Sequence, residues 1–218
     1  MYTLDIQHLA YQYQLSSRIL FHDFNLQVAN NDFIILTGSS GSGKTTLTKM
    51  ILGQITHYDG TIRFQDQIIK TMTKHQIQAM RQHIACVFQD YKLVSQQSIE
   101  HNITLPLSIT HTPFDEIQDR YHYVSDVLSL DMDPKHQISQ LSGWEKQKVA
   151  IARSLIMKPD LFIADEPTGN LDEKNSKLIT DLIITIHREG IPILFITHDM
   201  SLVSYILQNT HAIHISLL

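Results

Sequence analysis

The alternation of hydrophobic and polar residues predicts that the first third of the chain is built mainly from strands. The segments TLDIQHLAYQY and ILFHDFNLQV alternate apolar and polar side chains, as expected for strands with one buried face. Asn30-Asn31-Asp32 predicts a turn into Phe33–Thr37, a continuous apolar run typical of a strand covered on both faces. A helix is predicted from about Thr45 to Gly53, and the strands TIRF and IACVF follow it.

A helical rhythm replaces the strand pattern from about residue 95 to residue 135. After Pro113, apolar side chains recur at helical spacing, namely Phe114, Ile117, Tyr121, Val124 and Leu128. Then come a helix ending near Lys158-Pro159, the strand LFIAD, the helix KNSKLITDLIITIHREG, the strand PILFITHD, the helix MSLVSYILQ and the strand HAIHISLL. This alternation predicts an α/β fold with a mainly parallel sheet, an N-terminal antiparallel β subdomain and an inserted α-helical subdomain.

The composition fits one domain with a sizeable core, since 43% of the 218 residues are hydrophobic. A net charge of −5 does not favour nucleic-acid binding, and the single Cys86 in IACVF is expected to be a core residue. No apolar run approaches the ~18 residues that span a bilayer, and MYTLDIQHL lacks the pattern of a signal peptide. We therefore expect a soluble, cytoplasmic protein that reaches a membrane only through a partner.

The thirteen histidines are scattered, without a tight pair on a helical face. His211 and His214 are predicted to lie in the last strand, where a spacing of three places them on opposite faces. We therefore do not expect a histidine-based metal site.

A phosphate-binding loop is predicted between the strand FIILT and the following helix. The segment GSSGSGKT fills every fixed position of the P-loop pattern. In such a loop, backbone N–H groups and the helix N-terminus bind phosphate oxygens, Lys44 reaches the β and γ phosphates, and Thr45 ligates Mg²⁺. The candidate nucleotide ligands here are Gly38, Ser39, Ser40, Gly41, Ser42, Gly43, Lys44, Thr45 and Thr46.

Two further buried strands deliver polar residues to the edge where α/β sheets bind ligands. In LFIAD, Asp165 is a candidate Mg²⁺ ligand opposite Thr45, and Glu166 is a candidate general base for attack on the γ phosphate. FITH ends similarly at His198. Alone it would be an ordinary loop histidine, but beside the other motifs it is a candidate hydrogen-bond partner of the γ phosphate or the attacking water.

Taken together, the motifs resemble the ATP-binding subunit of ABC transporters over nearly the whole chain. GSSGSGKTT resembles the Walker A loop, VFQD with Gln89 the Q-loop, LSGWEKQKVAIARSL the signature, LFIADEPTGNLD Walker B and the D-loop, and THD the switch loop. Tyr13 falls where the family places an adenine-stacking aromatic residue, although Tyr11 is an alternative. The resemblance implies one domain, 1–218, with a core at about 1–90 and 159–218 and a helical insert at about 91–158 that includes the signature helix.

The resemblance also implies a mechanism in which two cassettes face each other head to tail and trap two ATP molecules. Within one copy, it makes Lys44, Gln89, Glu166 and His198 catalytic and assigns Mg²⁺ to Thr45, Gln89 and Asp165. Across the dimer, it assigns ATP contacts to four residues, namely Ser142, Gly143, Trp144 and Asp172. Residues of about 90–106 and the insert are expected to contact an integral membrane permease, which holds the protein on the cytoplasmic face of the membrane.

Among ABC cassettes, the compact length, VFQDYKLV and ADEPTGNLD most resemble the macrolide-export, lipoprotein-release and cell-division branch.

Trp144 departs from the family pattern, which has a second glycine at this position. Ser142 and Glu145 form an S-x-x-E capping box, which predicts a helix start at Ser142 with Trp144 in the first turn. An indole near the partner copy's γ phosphate leads to the hypothesis that a homodimer binds ATP but hydrolyses it slowly. The alternatives are that the ring rotates onto the helical insert, or that a different cassette supplies an intact signature.

The main hypothesis is an energy-coupling ATPase of a membrane transporter. A nucleotide-dependent scaffold with weak hydrolysis stays open because of Trp144. A DNA-repair or translation ATPase of this type would need a long coiled-coil insert or a second cassette. A P-loop kinase is disfavoured by Glu166, the D-loop match and the signature helix.

Overall fold

The computed structural model of the protein describes residues 2–13 and 18–217, which form two sheets and the helices around them. In chain order the strands are β1 (Tyr2–Gln12), β2 (Ile19–Ala29), β3 (Phe33–Gly38), β4 (Asp59–Phe64), β5 (Gln67–Ile68), β6 (Ile84–Phe88), β7 (Leu161–Asp165), β8 (Ile193–Ile196) and β9 (Ile213–Leu217). The first sheet is antiparallel, in the order β2-β1-β4-β5, and the second is parallel, in the order β6-β7-β8-β3-β9. The predicted α/β fold class is confirmed.

Helices flank the parallel sheet and also build the region between β6 and β7. They are α1 (Lys44–Ile51), α2 (Lys74–Gln82), α3 (Ile99–Ile109), α4 (Phe114–Val127), α5 (Gly143–Leu155), α6 (Glu173–Arg188) and α7 (Met200–Asn209). The helices α3, α4 and α5 come consecutively between β6 and β7, so the helical insert expected from the sequence is present. No helix of the described residues is long and apolar enough to cross a bilayer.

The parallel sheet brings the ends of its strands to one edge. Ile196 at the end of β8 pairs with Asp165 of β7 on one side and with Leu36 of β3 on the other. β6 ends beside β7, where Phe88 pairs with Asp165. The segments that follow these four strands therefore emerge next to one another, and they contain the predicted chemistry.

Two apolar clusters fill the interior. One joins the antiparallel sheet to a face of the parallel sheet, with Leu4, Ile62, Leu36 and Ile163 among its members. The other lies on the opposite face and continues from Ile35 and Phe162 into the insert residues Ile103, Val124 and Val149. The insert is therefore packed on the sheet through continuous apolar contact.

The sequence pattern missed α2, the helix KHQIQAMRQ. Only Met80 of this helix is buried, so it lacks the apolar stripe that identifies a helix in sequence. Its start is fixed by Thr73, whose hydroxyl accepts the Gln76 N–H while the Gln76 side chain accepts the Thr73 N–H. The capping signal is present in the sequence, but without a hydrophobic face it does not by itself predict a helix.

Phe114 is the first residue of α4, and 72% of its surface is exposed. One prediction about the placement of a residue was wrong in detail. His211 precedes β9 rather than lying in it, whereas His214 is in β9, with Nε2 2.8 Å from the Thr37 hydroxyl. Leu218, also included in the predicted strand, lies outside the described residues.

Candidate active site

The loop between β3 and α1 has the conformation of an anion cradle. Gly41 and Gly43 have φ values of 78° and 103°, in the left-handed region that favours glycine. At Gly43 a Cβ atom would lie 2.9 Å from the Phe21 ring, so the loop also approaches the antiparallel sheet too closely for a larger residue. Gly43 is the N-cap of α1, and this places the positive end of the helix dipole at the loop.

Lys44 lies inside this loop with 8% of its surface exposed. Its Nζ donates hydrogen bonds to the carbonyl oxygens of Gly38 at 2.7 Å and Ser39 at 3.1 Å. The same nitrogen lies 3.8 Å from Glu166 Oε1. The ammonium group is thus held within the ring of the loop, where an incoming phosphate would meet a fixed positive charge.

Asp165 is buried at the end of β7, and burial raises the pKa of its carboxyl group above the usual value. The hydroxyls of Thr48 and Thr45 and the charge of Lys44 lower that pKa in part. Among the described residues, Oδ1 of Asp165 has no hydrogen-bond partner. A buried carboxylate oxygen without a partner, next to a threonine hydroxyl, is a donor set that suits Mg²⁺.

Glu166 and His198 form a polar pair at the same edge. Glu166 has a left-handed φ of 52°, and its N–H donates to Ile196 O at 3.0 Å. His198 Nδ1 lies 2.9 Å from both Glu166 carboxylate oxygens. The base candidate is therefore oriented by a histidine on one side and by Lys44 on the other.

Gln89 follows β6 and is held by a reciprocal amide pair with Asn170. Its Nε2 donates to Asn170 Oδ1 at 3.2 Å, and Asn170 Nδ2 donates to Gln89 O at 2.8 Å. Gly169 allows this approach, because a Cβ atom there would lie 2.8 Å from Gln89 Nε2. The pair joins the segment after β6 to the segment after β7.

Tyr13, rather than Tyr11, faces the phosphate-binding loop. The Tyr13 hydroxyl lies 2.9 Å from the Thr46 hydroxyl, and its ring lines the same cleft as Lys44. Tyr11 packs edge-on behind Tyr13, with ring centroids 5.1 Å apart, and lines only a neighbouring cavity. This geometry favours Tyr13 as the stacking residue.

These elements enclose a cleft of about 670 Å³. It is lined by Tyr13, Leu20, Ser39, Ser40, Gly41, Gly43, Lys44, Thr45, Thr46, Gln89, Glu166 and His198. A second cleft of about 640 Å³ adjoins it and shares Thr45, Gln89 and Glu166, with Asp165 in its wall. The structure thus brings together residues from five separate sequence motifs.

Comparison with known proteins decides the family of this fold and cleft. The family model described as ABC transporter matches residues 21–169. The chain belongs to the ABC transporter family. The protein is therefore an ATPase subunit that binds ATP with Mg²⁺.

Relatives of this ABC cassette have related cellular roles. It is 36% identical over 203 residues to the cell division ATP-binding protein FtsE of Mycobacterium tuberculosis, covering 93% of this chain and 87% of the relative. It is 33% identical over 196 residues to the lipoprotein-releasing system ATP-binding protein LolD of Oleidesulfovibrio alaskensis, covering 89% and 85%. Both belong to the branch that the sequence motifs indicated.

A solved cassette has the same fold. The structure of MJ0796, described as a dimeric post-hydrolysis state bound to ADP and Pi, superposes with a TM-score of 0.79 at 26% identity, covering 91% of this chain and 89% of that one.

The signature residues of this ABC cassette do not line its own cleft. Ser142 is the N-cap of α5, Gly143 and Trp144 are the first helical residues, and Asp172 is the N-cap of α6. Glu145 completes the predicted capping box by accepting the Ser142 N–H at 2.8 Å. Their absence from the lining of both clefts is consistent with a role toward a second copy.

Trp144 lies against Lys148 on the same face of α5. The Lys148 ammonium is 5.3 Å from the centre of the indole ring and also donates to Ser129 O, in the segment after α4. Such a cation–π contact holds the ring toward the helical insert. This position favours the alternative in which the ring leans aside.

Two contributors to the site were missed at the level of sequence. Leu20 lines the cleft from β2, and Asn170 fixes Gln89. Asn170 was visible as part of the GNLD segment, but its pairing with Gln89 depends on two chain segments 81 residues apart. Leu20 carries no local signal, since it is one apolar residue of an alternating strand.

Proposed function

We propose that two copies of this cassette close head to tail around two ATP molecules and that hydrolysis drives a conformational change in a membrane permease. The observation that carries this proposal is the position of the Glu166 carboxylate. It lies at the cleft edge, 2.9 Å from His198 and 3.8 Å from Lys44, beside the buried Asp165. A base oriented next to a cation cradle is the arrangement that attack on a phosphoryl group requires.

The phosphate end of ATP is held by the loop 38–46. Its backbone N–H groups and the α1 N-terminus bind phosphate oxygens, and Lys44 neutralises charge on the β and γ phosphates. Thr45, Gln89 and Asp165 would hold Mg²⁺, which supplies further charge neutralisation when bound. Tyr13 packs on the adenine ring at the open end of the cleft.

Glu166 accepts a proton from the attacking water. Its carboxylate is positioned by His198, which also lies within reach of the water or the γ phosphate. The buried Asp165, with Oδ1 free of partners among the described residues, would hold the metal, which leaves Glu166 to act on the water. Gln89 connects the metal position to the segment that leads into the insert.

The partner copy completes each site. Ser142, Gly143, Trp144 and Asp172 lie at the starts of α5 and α6, where the helix dipole favours an anion. Because these residues are away from the cleft of their own copy, a second copy is needed to bring them to ATP. The same geometry would allow pairing with a different cassette.

The relatives support a place for this cassette among the systems for cell division and lipoprotein release. In such an arrangement, the permease recognises the cargo and the cassette supplies the energy. The cassette would bind the nucleotide rather than the cargo.

The permease would contact residues 90–106 and the insert of about 91–158, which moves against the core of about 1–90 and 159–218. This contact segment is organised by the fully buried Asn102, whose side chain accepts the Val94 N–H at 2.8 Å and donates to the carbonyls of Val94 and Ser98. Val94 itself is exposed on this frame. Through this contact the cassette would sit peripherally on the cytoplasmic face of the membrane.

Co-purification from native membranes tests the proposal. We expect tagged protein to retain one integral membrane protein and to hydrolyse ATP faster in that complex than alone. Val94→Asp should lose the membrane protein and the stimulation but keep basal hydrolysis. Leu178 is also an exposed apolar residue but lies on α6, outside the contact segment. Leu178→Asp should therefore keep the membrane protein and the stimulation of hydrolysis. Equal loss with the two variants would contradict the contact, and absent hydrolysis in the complex would contradict the function.

Trp144→Gly tests whether the indole obstructs dimer closure. Because Lys148 holds the ring toward the insert, we expect kcat to change by less than about twofold. The free energy of unfolding should fall by about 1 kcal/mol, through loss of the cation–π contact and a glycine in the first helical turn. Steady-state ATP hydrolysis and thermal unfolding measure the two effects.

Lys148→Gln is the companion variant. Removing the cation frees the ring, so this variant should slow hydrolysis, and adding Trp144→Gly should restore it. A several-fold rise in kcat with Trp144→Gly alone would instead show that the indole slows the native enzyme.

A further inference from the structure

The turn that follows Gln89 has an unfavourable backbone conformation. Tyr91 and Lys92 are consecutive non-glycine residues with φ values of 59° and 52°. L-residues other than asparagine and aspartate rarely adopt this region, and two in succession need outside support. The local bonds from Tyr91 N to Phe88 O at 3.2 Å and from Lys92 N to Asp90 O at 2.6 Å stay within the turn itself.

Outside support comes from Arg153, in the last turn of α5. One guanidinium nitrogen donates to Lys92 O at 2.7 Å, and another donates to Tyr91 O at 2.9 Å. Partial burial lowers the pKa of this guanidinium. A half-buried cation that donates to two carbonyl groups of the turn has its position fixed by the turn, and it fixes the turn in return.

The opposite end of the same turn is held from the catalytic side. The Asn170 side chain accepts a hydrogen bond from the Gln89 side chain and donates one to the Gln89 carbonyl oxygen. The Tyr91 hydroxyl reaches the start of α5, lying 3.2 Å from where a Cβ atom of Gly143 would be. Residues 89–92 are therefore clamped between the segment that carries Glu166 and the two ends of the signature helix.

We infer that Arg153 is a positioning residue for ATP hydrolysis. By binding two carbonyl groups of the left-handed turn, it sets the direction in which the chain leaves Gln89 and so the placement of the Gln89 side chain at the cleft. Arg153 touches neither nucleotide nor metal and acts only through this turn. The inference rests on the proposed function, because Gln89 matters only if ATP is hydrolysed in this cleft.

Steady-state hydrolysis with varied ATP and varied Mg²⁺ tests the inference. Arg153→Ala should lower kcat by about tenfold, since small displacements of a positioned group have effects of this order or more. KM for ATP should stay within about twofold, because the phosphate cradle is formed elsewhere. The Mg²⁺ concentration for half-maximal rate should rise. The lysine of Arg153→Lys has one ammonium group and cannot donate to both carbonyls in the same forked geometry. The kcat of this variant should therefore lie between those of the wild type and Arg153→Ala.

A second-site variant separates positioning from stability. Glycine tolerates a left-handed backbone, so Lys92→Gly added to Arg153→Ala should recover much of the lost kcat. Arg120→Lys is the matched control, because Arg120 also donates to a helix carbonyl, Ile156 O, but far from Gln89. It should leave kcat and the Mg²⁺ dependence unchanged.

The outcomes distinguish failure of the proposed function from failure of the inference on Arg153. If the wild-type protein does not hydrolyse ATP, the proposed function fails. If it does, and folded Arg153→Ala keeps the wild-type kcat and Mg²⁺ dependence, the inference on Arg153 fails alone. A loss that Arg120→Lys reproduces would likewise show a general effect on folding and overturn the inference.

Discussion

Glu166→Gln is expected to lower kcat for ATP hydrolysis by about 1,000-fold, because a general base contributes an effect of this order. The amide cannot accept a proton, yet it is nearly the same size as the carboxylate. Lys44 would keep its two carbonyl partners in the variant, and Asp165 would stay buried. ATP affinity should therefore stay near the wild-type value. Single-turnover hydrolysis and calorimetric ATP titration measure the two properties.

The same variant should accumulate as a closed dimer with ATP. Without hydrolysis the nucleotide stays between the copies, so size-exclusion chromatography with ATP and Mg²⁺ should show a stable dimer. Glu173→Gln is the control, since Glu173 is an exposed carboxylate paired with Lys177 on α6. Wild-type turnover by Glu166→Gln would rule out Glu166 as the base and remove the central step of the proposed mechanism.

Lys44→Ala should weaken ATP binding by more than about 100-fold, since hydrogen bonds to charged groups are worth about 1.5–3 kcal/mol each. In the free protein, Nζ of Lys44 is held by two carbonyl oxygens inside the loop. Bound phosphates would accept from it there without any large movement of the side chain. The effect should appear in calorimetric titration with ATP and Mg²⁺.

Lys177→Ala removes the same charge from an exposed site on α6 and should leave ATP affinity unchanged. Circular dichroism should show that Lys44→Ala is folded, because the loop backbone is set by its glycines and by α1. A folded Lys44→Ala protein with native ATP affinity would contradict the assignment of the cleft.

The catalytic end of the cleft was predictable from sequence because it depends on short local patterns. GSSGSGKT needs only the strand before it and the helix after it, and both are marked by their apolar residues. Asp165 ends the otherwise apolar strand β7, Glu166 follows it, and His198 comes two residues after the wholly apolar β8. Parallel strands that pair side by side must bring these ends together, and the register of Ile196 with Asp165 and Leu36 does so.

The fine geometry was not predictable, because it depends on contacts between distant segments. The sequence favours Tyr13 without excluding Tyr11, two residues away, and only the structure shows that the Tyr13 hydroxyl lies 2.9 Å from that of Thr46. The direction of the Trp144 ring depends on Lys148, which is itself held by the carbonyl of Ser129 in the segment after α4. Sequence showed that the tryptophan is unusual but not where its ring would go.

The contact between Phe21 and Gly43 joins the antiparallel sheet to the phosphate-binding loop. The phenyl ring sits where any side chain at position 43 would have to be. A redesigned loop that admits a bulkier residue here, for instance to bind another polyphosphate, must shrink position 21 at the same time. The shape of the triphosphate pocket therefore depends partly on β2, a strand that binds no phosphate itself.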